Sequence, residues 1–176
     1  MERINELLNE QPDITDPLPN APSMDIDCIE FKNVTYSYPN TETEVLKNVS
    51  FKLERGKKLA IIGRTGSGKT SIINLLLRFY DLTDRDSGEI LINGKRLDKI
   101  SLRALRECIG IVPQDNFLFS QTIGENIAFS SNGAGEKEYV IRMAKIADIH
   151  QNIIDFPEKY ETMLGERGVT LSGGQK

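Results

Sequence analysis

Apolar residues change their spacing several times along this chain, and each change predicts an element. Ile4, Leu7 and Leu8 recur at helical spacing, which predicts a short helix from Met1 to about Glu10. Gln11-Pro12-Asp13 and Asp16-Pro17-Leu18-Pro19-Asn20-Ala21-Pro22 follow, hold four of the seven prolines, and predict an extended linker. From Cys28 onward Ile29 and Phe31 alternate with polar residues, and Val34, Tyr36 and Tyr38 then alternate on the opposite phase. That shift predicts one strand with a bulge near Lys32-Asn33. Val49, Phe51 and Leu53 form a second alternating strand. Alternation leaves one face wet, as in antiparallel sheets. Leu59-Ala60-Ile61-Ile62 differs, because it is apolar without a break. Such a run predicts a parallel strand buried on both faces. Ile90-Leu91-Ile92 and Ile109-Gly110-Ile111-Val112 are further candidates for the sheets.

Helical patterns lie between and after these runs. Thr70 to Phe79 is apolar on most sides (Ile72, Ile73, Leu75, Leu76, Leu77), which predicts a buried helix. Leu102 to Glu107 reads as a short helix capped by Ser101. From Ile123 the character changes: Asn126–Phe129, Lys137–Asp148 and His150–Phe156 read as helices, with no strong strand among them. Residues from about Ser120 to Gly168 are therefore expected to form a helical insertion on an α/β core.

Composition narrows the class without changing the fold. The 176 residues suffice for one domain with a hydrophobic core, and 39% hydrophobic with 27% charged is ordinary globular composition. No apolar run approaches the roughly 18 residues needed to cross a bilayer. The polar start, Met1-Glu2-Arg3-Ile4-Asn5-Glu6, does not read as a signal peptide. Cys28 and Cys108 lie far apart in apolar stretches, so both are expected to be reduced and buried. His150 is the single histidine and is expected on the surface, without a metal. The net charge of −4 is uneven: residues 1–27 carry seven acids against Arg3, or −6, leaving +2 for the remainder. Neither value suggests a nucleic-acid surface, which needs a basic stripe.

The candidate chemistry sits at Gly63-Arg64-Thr65-Gly66-Ser67-Gly68-Lys69-Thr70, which matches G-x-x-x-x-G-K-S/T between the run Leu59–Ile62 and the helix beginning at Thr70. Triphosphate oxygens need several donors converging on a small volume. Glycines let backbone N–H groups approach without Cβ interference and allow the positive φ of an anion nest. The following helix directs its N-terminal amides and dipole at the same oxygens. Lys69 supplies a full charge for the β- and γ-phosphates. The Thr70 hydroxyl is placed to ligate Mg²⁺, and Ser71 is a candidate α-phosphate donor.

A phosphate loop alone serves kinases, GTPases and helicases as well. Leu171-Ser172-Gly173-Gly174-Gln175 follows about a hundred residues later, Val112-Pro113-Gln114-Asp115 lies between, and Asn33-Val34-Thr35-Tyr36-Ser37-Tyr38-Pro39 precedes. In that order these motifs, over about residues 28–176, resemble the nucleotide-binding domain of ATP-binding-cassette (ABC) transporters. Phe117-Leu118-Phe119-Ser120-Gln121-Thr122-Ile123-Gly124-Glu125-Asn126-Ile127 and Gly165-Glu166-Arg167-Gly168 are similar to exporter cassettes. Residues 1–16 resemble the helix and linker that leave an exporter's transmembrane domain, so Met1 reads as an internal methionine of a fused chain.

The resemblance implies an α/β fold: a P-loop NTPase core with a mostly parallel sheet, an antiparallel β subdomain and a helical insertion. It divides the chain into a helix and acidic linker (1–26), the β subdomain and P-loop core (27–119), the helical subdomain (120–170) and the signature (171–176). It implies ATP and Mg²⁺ as ligands. Tyr38 would stack on adenine with Val45 nearby, and Gly63 to Ser71 would hold the phosphates. Lys69 and Gln114 would serve catalysis, with Thr70 and Gln114 on the metal. Leu171, Ser172, Gly173, Gly174 and Gln175 would face ATP held by a second cassette in a head-to-tail dimer. The setting would be the cytoplasmic face of a membrane, beside transmembrane domains.

Two features depart from the family pattern. Asp81-Leu82-Thr83-Asp84-Arg85-Asp86-Ser87 makes this connection a few residues longer than the family usually has and reads as a surface loop extension. The Walker B strand with its aspartate, the catalytic glutamate and the switch histidine would all lie beyond Lys176; His150 precedes the signature and does not serve. The 176 residues are accordingly expected to bind nucleotide weakly and hydrolyse it negligibly, with residues 171–176 poorly fixed. A soluble ABC-type ATPase of DNA repair or translation, or a non-catalytic ATP-binding fragment, are the alternative readings. Neither composition nor motif identifies the transported solute.

Overall fold

In the computed structural model, residues 11–82, 87–114, 117–129 and 137–165 are described. The chain divides into two units, Met1–Ile111 and Val112–Lys176. The predicted helix over Met1–Glu10, the tip of the loop after Leu82 and the signature segment lie outside the described residues.

In the first unit β1 (Cys28–Ser37) pairs antiparallel with both β2 (Glu44–Glu54) and β3 (Glu89–Ile92), and β3 pairs with β4 (Lys95–Arg96). The order is β2-β1-β3-β4. The phase change along β1 is a bulge, as the pattern predicts: Phe31 pairs with Phe51, yet the next pair is Val34 with Val49. Asn33 takes φ 51° there, and its side chain and amide bond Ser50 Oγ at 3.0 and 2.8 Å. The shift lets Phe31, Val34 and Tyr36 all face inward, each 4% exposed or less. Asn93-Gly94, with φ of 52° and 77°, closes the β3–β4 hairpin, since both positions need the left-handed region.

Two helices pack into this unit. Helix α1 (Lys69–Leu76) buries Ile72 and Leu75 in one core with Phe31, Val34, Tyr36, Leu46, Ile90 and Ile92. It stops three residues short of the predicted Phe79. Arg78 adopts φ 50°, and the Arg78 and Phe79 amides bond back to Leu75 O and Asn74 O at 3.0 and 2.9 Å, a Schellman closure. Arg106 donates to Leu77 O and Arg78 O, satisfying carbonyls the helix end leaves open. Helix α2 (Leu102–Glu107) starts where predicted, with Ser101 Oγ accepting from Ala104 N at 3.3 Å.

Leu59–Ile62 does not form the expected strand. It has no ladder partner among the described residues, and Ile62 is 94% exposed. Ile109–Val112 is likewise unpaired. An unbroken apolar run reports suitability for a two-sided environment, but burial needs a strand on each side. Every ladder among the described residues is antiparallel.

The linker carries bends and a turn, with Ala21 N bonded to Leu18 O at 3.0 Å, and it is tied down. Asp16 Oδ2 accepts from Ser101 Oγ at 3.0 Å and Arg103 N at 3.2 Å, and Oδ1 accepts from Leu18 N at 2.9 Å. Arg103 Nη2 donates to Ala21 O, and Asn93 spans Asp25 O and the amides of Asp27 and Cys28. Cys108 Sγ lies 2.6 Å from Met24 O. Cys108 is exposed and sits at the end of α2, correcting the expectation that both thiols are buried in strands; Cys28 is half-buried in β1, and both are free. The apolar residues beside Cys108 belong to an unpaired run, so they provide no cover.

The second unit is helical, with a single isolated bridge, Thr122 to Met163, among its described residues. Helix α3 (Ile123–Ala128) begins earlier than predicted because Thr122 and Glu125 form a capping box. Helices α4 (Lys137–Ile146) and α5 (His150–Ile154) follow. Ile123, Ala144, Ile153 and Leu164 make the core. His150 is half-buried rather than on the surface, its Nδ1 2.7 Å from Tyr160 Oη.

Asp16 gives the linker a pH dependence of definite sign. Desolvation raises its pKa, but hydrogen bonds from the Leu18, Arg103 and Leu102 amides and the Ser101 hydroxyl outweigh it, holding the carboxyl below the usual aspartate value. A depressed folded pKa stabilises the folded form above the unfolded value, and that contribution fades as pH falls through the folded one. The wild type is expected to protect the Arg103 amide from hydrogen exchange more than Asp16→Asn does at pH 7. The difference should shrink as pH falls below about 4. Equal protection at both pH values would show that the carboxylate does not hold the linker.

Candidate functional site

The loop is exposed from Gly63 to Ser67, half-buried at Gly68, and turns ahead of α1, as the motif requires. Gly68 occupies the N-cap with φ 84°, no side chain caps the helix, and no acidic residue stands in its first turn. The first-turn amides thus present donors and a positive dipole end without an internal anion. A side chain at Gly68 is excluded twice over. A Cβ there would lie 2.7 Å from Leu46 Cδ2 and 2.8 Å from Val45 O, besides the unfavourable φ. Gly63 is constrained by space alone, since its Cβ would meet Ser67 Oγ at 2.5 Å.

Lys69 folds back over the loop. Its Nζ donates to Gly63 O at 2.9 Å and Arg64 O at 2.7 Å, with Ser67 Oγ at 3.4 Å. Those carbonyls hold the ammonium against the loop. Ser67 N bonds Arg64 O at 3.2 Å, and Thr65, Gly66 and Thr70 remain exposed. The residues fit an oligophosphate: uncapped first-turn amides and the Lys69 ammonium adjoin an exposed loop, and a side chain at Gly68 would clash with β2. Thr70 places an exposed hydroxyl in the first turn, suited to a hard cation.

Tyr38, just beyond β1, is half-buried and engaged. Its Oη lies 2.8 Å from Ser71 Oγ and accepts from Asn74 Nδ2 at 3.5 Å. Its ring stands edge-on to Tyr36 and Tyr80, at 5.1 and 5.0 Å between centroids. Tyr36 is buried behind it; burial, with Tyr38 and Tyr80 adding, pushes the Tyr36 hydroxyl up to about 12, so it stays neutral. Asn74, Tyr80 and Leu46 escaped the sequence reading as partners of the site, whereas Val45 was among its candidates. Asn74 was findable, because Ser71 and Asn74 are three apart and share a helix face. Tyr80 was not, since it follows the αL turn at Arg78.

Gln114 is exposed in the second unit. Leu171, Ser172, Gly173, Gly174 and Gln175 fall outside the described residues.

A model of the ABC transporter family matches residues 46–176, phosphate loop included. The chain belongs to the ABC transporter family. It is 44% identical over 178 aligned residues to a putative multidrug export ATP-binding/permease protein, YgaD, of Bacillus subtilis, covering 100% of this chain and 30% of that protein. It is 44% identical to an ATP-dependent lipid A-core flippase of Photobacterium profundum, over 84% of this chain and 25% of the relative. A solved structure described as a bacterial Atm1-family ABC exporter with ATP bound superposes with a TM-score of 0.86 at 40% identity, over 100% of this chain and 30% of its own. This ABC chain spans less than a third of the length of each of these relatives.

In this ABC transporter chain Gly68→Ala is expected to lower unfolding free energy by roughly 2 kcal/mol or more, because strain at positive φ adds to the clash with Val45 O and Leu46. Ser67→Ala, at an exposed position, should cost under about 0.5 kcal/mol. Urea unfolding followed by circular dichroism measures both; equal midpoints would mean that the loop does not press on β2.

Proposed function

We propose that this chain binds Mg²⁺·ATP at residues 63–71 and, within a longer exporter, uses its hydrolysis to move a solute out of the cytoplasm. The observation that carries the reading is the uncapped start of α1, with Lys69 Nζ held against the loop by Gly63 O and Arg64 O. Tyr38, with Val45 beside it, would form the adenine platform, a stacking contact typically worth about 1–3 kcal/mol. Gly63, Arg64, Thr65, Gly66, Ser67 and Gly68 would give amides to the phosphates, Lys69 would meet the β- and γ-oxygens, and Ser71 the α-phosphate. Thr70 and Gln114 would hold Mg²⁺, which when bound neutralises charge on the transferring phosphoryl group. Gln114 would also orient the attacking water.

The supporting comparison is that relatives with export, permease and flippase in their names match the cassette, and the Bacillus export/permease protein is matched over the whole chain, linker included. A transmembrane domain upstream of residue 1, a second cassette whose Leu171–Gln175 equivalent completes each site, and a mostly parallel sheet flanking Leu59–Ile62 belong to the same proposal. So does a position at the cytoplasmic face of the membrane.

Calorimetric titration of the chain with Mg²⁺·ATP should show one site. Lys69→Ala should weaken it by at least about tenfold, since charge-assisted bonds contribute about 1.5–3 kcal/mol. Uptake that Lys69→Ala leaves unchanged would contradict the assignment.

A further inference from the structure

Ser71 is 3% exposed, although the phosphate-binding reading asks its hydroxyl to meet a phosphate oxygen. Its hydrogen-bonding partner is Tyr38 Oη, 2.8 Å away. Asn74 Nδ2 holds the same Oη from the next turn of α1 at 3.5 Å. The phenol oxygen thus has two side-chain partners on α1, and either hydroxyl can donate in the Tyr38–Ser71 bond. The ring is meanwhile set edge-on between Tyr36 and Tyr80. A serine hydroxyl has the capacity for two partners. What it lacks here is room, because an oxygen approaching a side chain this buried must displace a neighbour, and Tyr38 is the neighbour hydrogen-bonded to it.

We propose that Tyr38 is a latch on the phosphate-binding helix: its hydroxyl occupies Ser71 until a phosphate group claims that position, and its release frees the ring to meet a base. The latch rests on the reading of residues 63–71 as a phosphate cradle. It makes phosphate and base recognition interdependent. A ligand carrying both groups opens the latch with one and uses the freed ring with the other. A ligand with phosphates alone works against the latch and gains nothing from the ring.

That asymmetry supplies the test. Inorganic tripolyphosphate with Mg²⁺ has no base, so a tyrosine acting only as a stacking platform cannot affect its affinity. The full chain is titrated with it as wild type, Tyr38→Phe, Tyr38→Ala, Ser71→Ala and the Tyr38→Phe/Ser71→Ala double variant. Removing one neutral hydrogen bond of ordinary net strength should tighten tripolyphosphate binding roughly fivefold in both Tyr38 variants. In the Ser71→Ala background, Tyr38→Phe should change nothing. Mg²⁺·ATP should bind more tightly to Tyr38→Phe and less tightly to Tyr38→Ala, which loses the ring. Unchanged tripolyphosphate affinity in the Tyr38 variants overturns the latch and leaves the cradle standing. A wild type that takes up no tripolyphosphate overturns both. A reading on the wild type alone guards against variants that do not fold: tripolyphosphate should accelerate nitration of Tyr38 by tetranitromethane, followed by mass spectrometry. Unchanged or slower nitration counts against release.

Discussion

The first-turn N–H groups of α1, which no side chain caps and no acidic residue neutralises, are what the first unit is arranged around. A helix start left in that state is poised for an external anion. Its shape is set from below: β2 places Val45 O and Leu46 Cδ2 where any Cβ at Gly68 would go, so the chain must turn there with φ 84°. It is set from above by Lys69, whose ammonium draws the carbonyls of Gly63 and Arg64 inward. Sheet, glycine and lysine thus constrain one another, and the concavity follows from that mutual constraint.

The same helix is anchored firmly at its other end. Arg78 sits at a left-handed position with its guanidinium 5% exposed and paired in two places with Asp81, at 2.9 and 2.7 Å. Arg106 from α2 covers the terminal carbonyls, and Asp16 from the linker holds the start of α2. An exposed loop therefore rises from a base whose helix ends are almost all satisfied. That division suits a binding site, because the donors stay fixed while the ligand comes and goes.

Much of this was legible in the residues, and the failures share a cause. The bulge at Lys32-Asn33 was readable because strand alternation has a strict period of two and a slip shows at once. The cap at Ser101 and the phosphate loop were readable because their chemistry is local. Leu59–Ile62 stands unpaired among the described residues because burial on two faces is a property of neighbours, and a run of four apolar residues cannot report whether those neighbours are paired with it. The end of α1 was misplaced because the αL turn at Arg78 uses a residue with good helix propensity in place of the usual glycine. Tyr38 was recognised by its place in a motif, but its bond to Ser71 joins residues 33 positions apart and left no trace in spacing.

The central claim is that the backbone amides from Gly66 to Thr70 form the anion cradle. It is tested most directly by proton–nitrogen spectra of the labelled chain during addition of Mg²⁺·ATP. Direct hydrogen bonds to phosphate should move the amide protons of Gly68 and Lys69 downfield and leave those of β3 and β4 in place. Saturating nucleotide that leaves the loop amides unmoved, or shifts confined to other segments, would contradict the account.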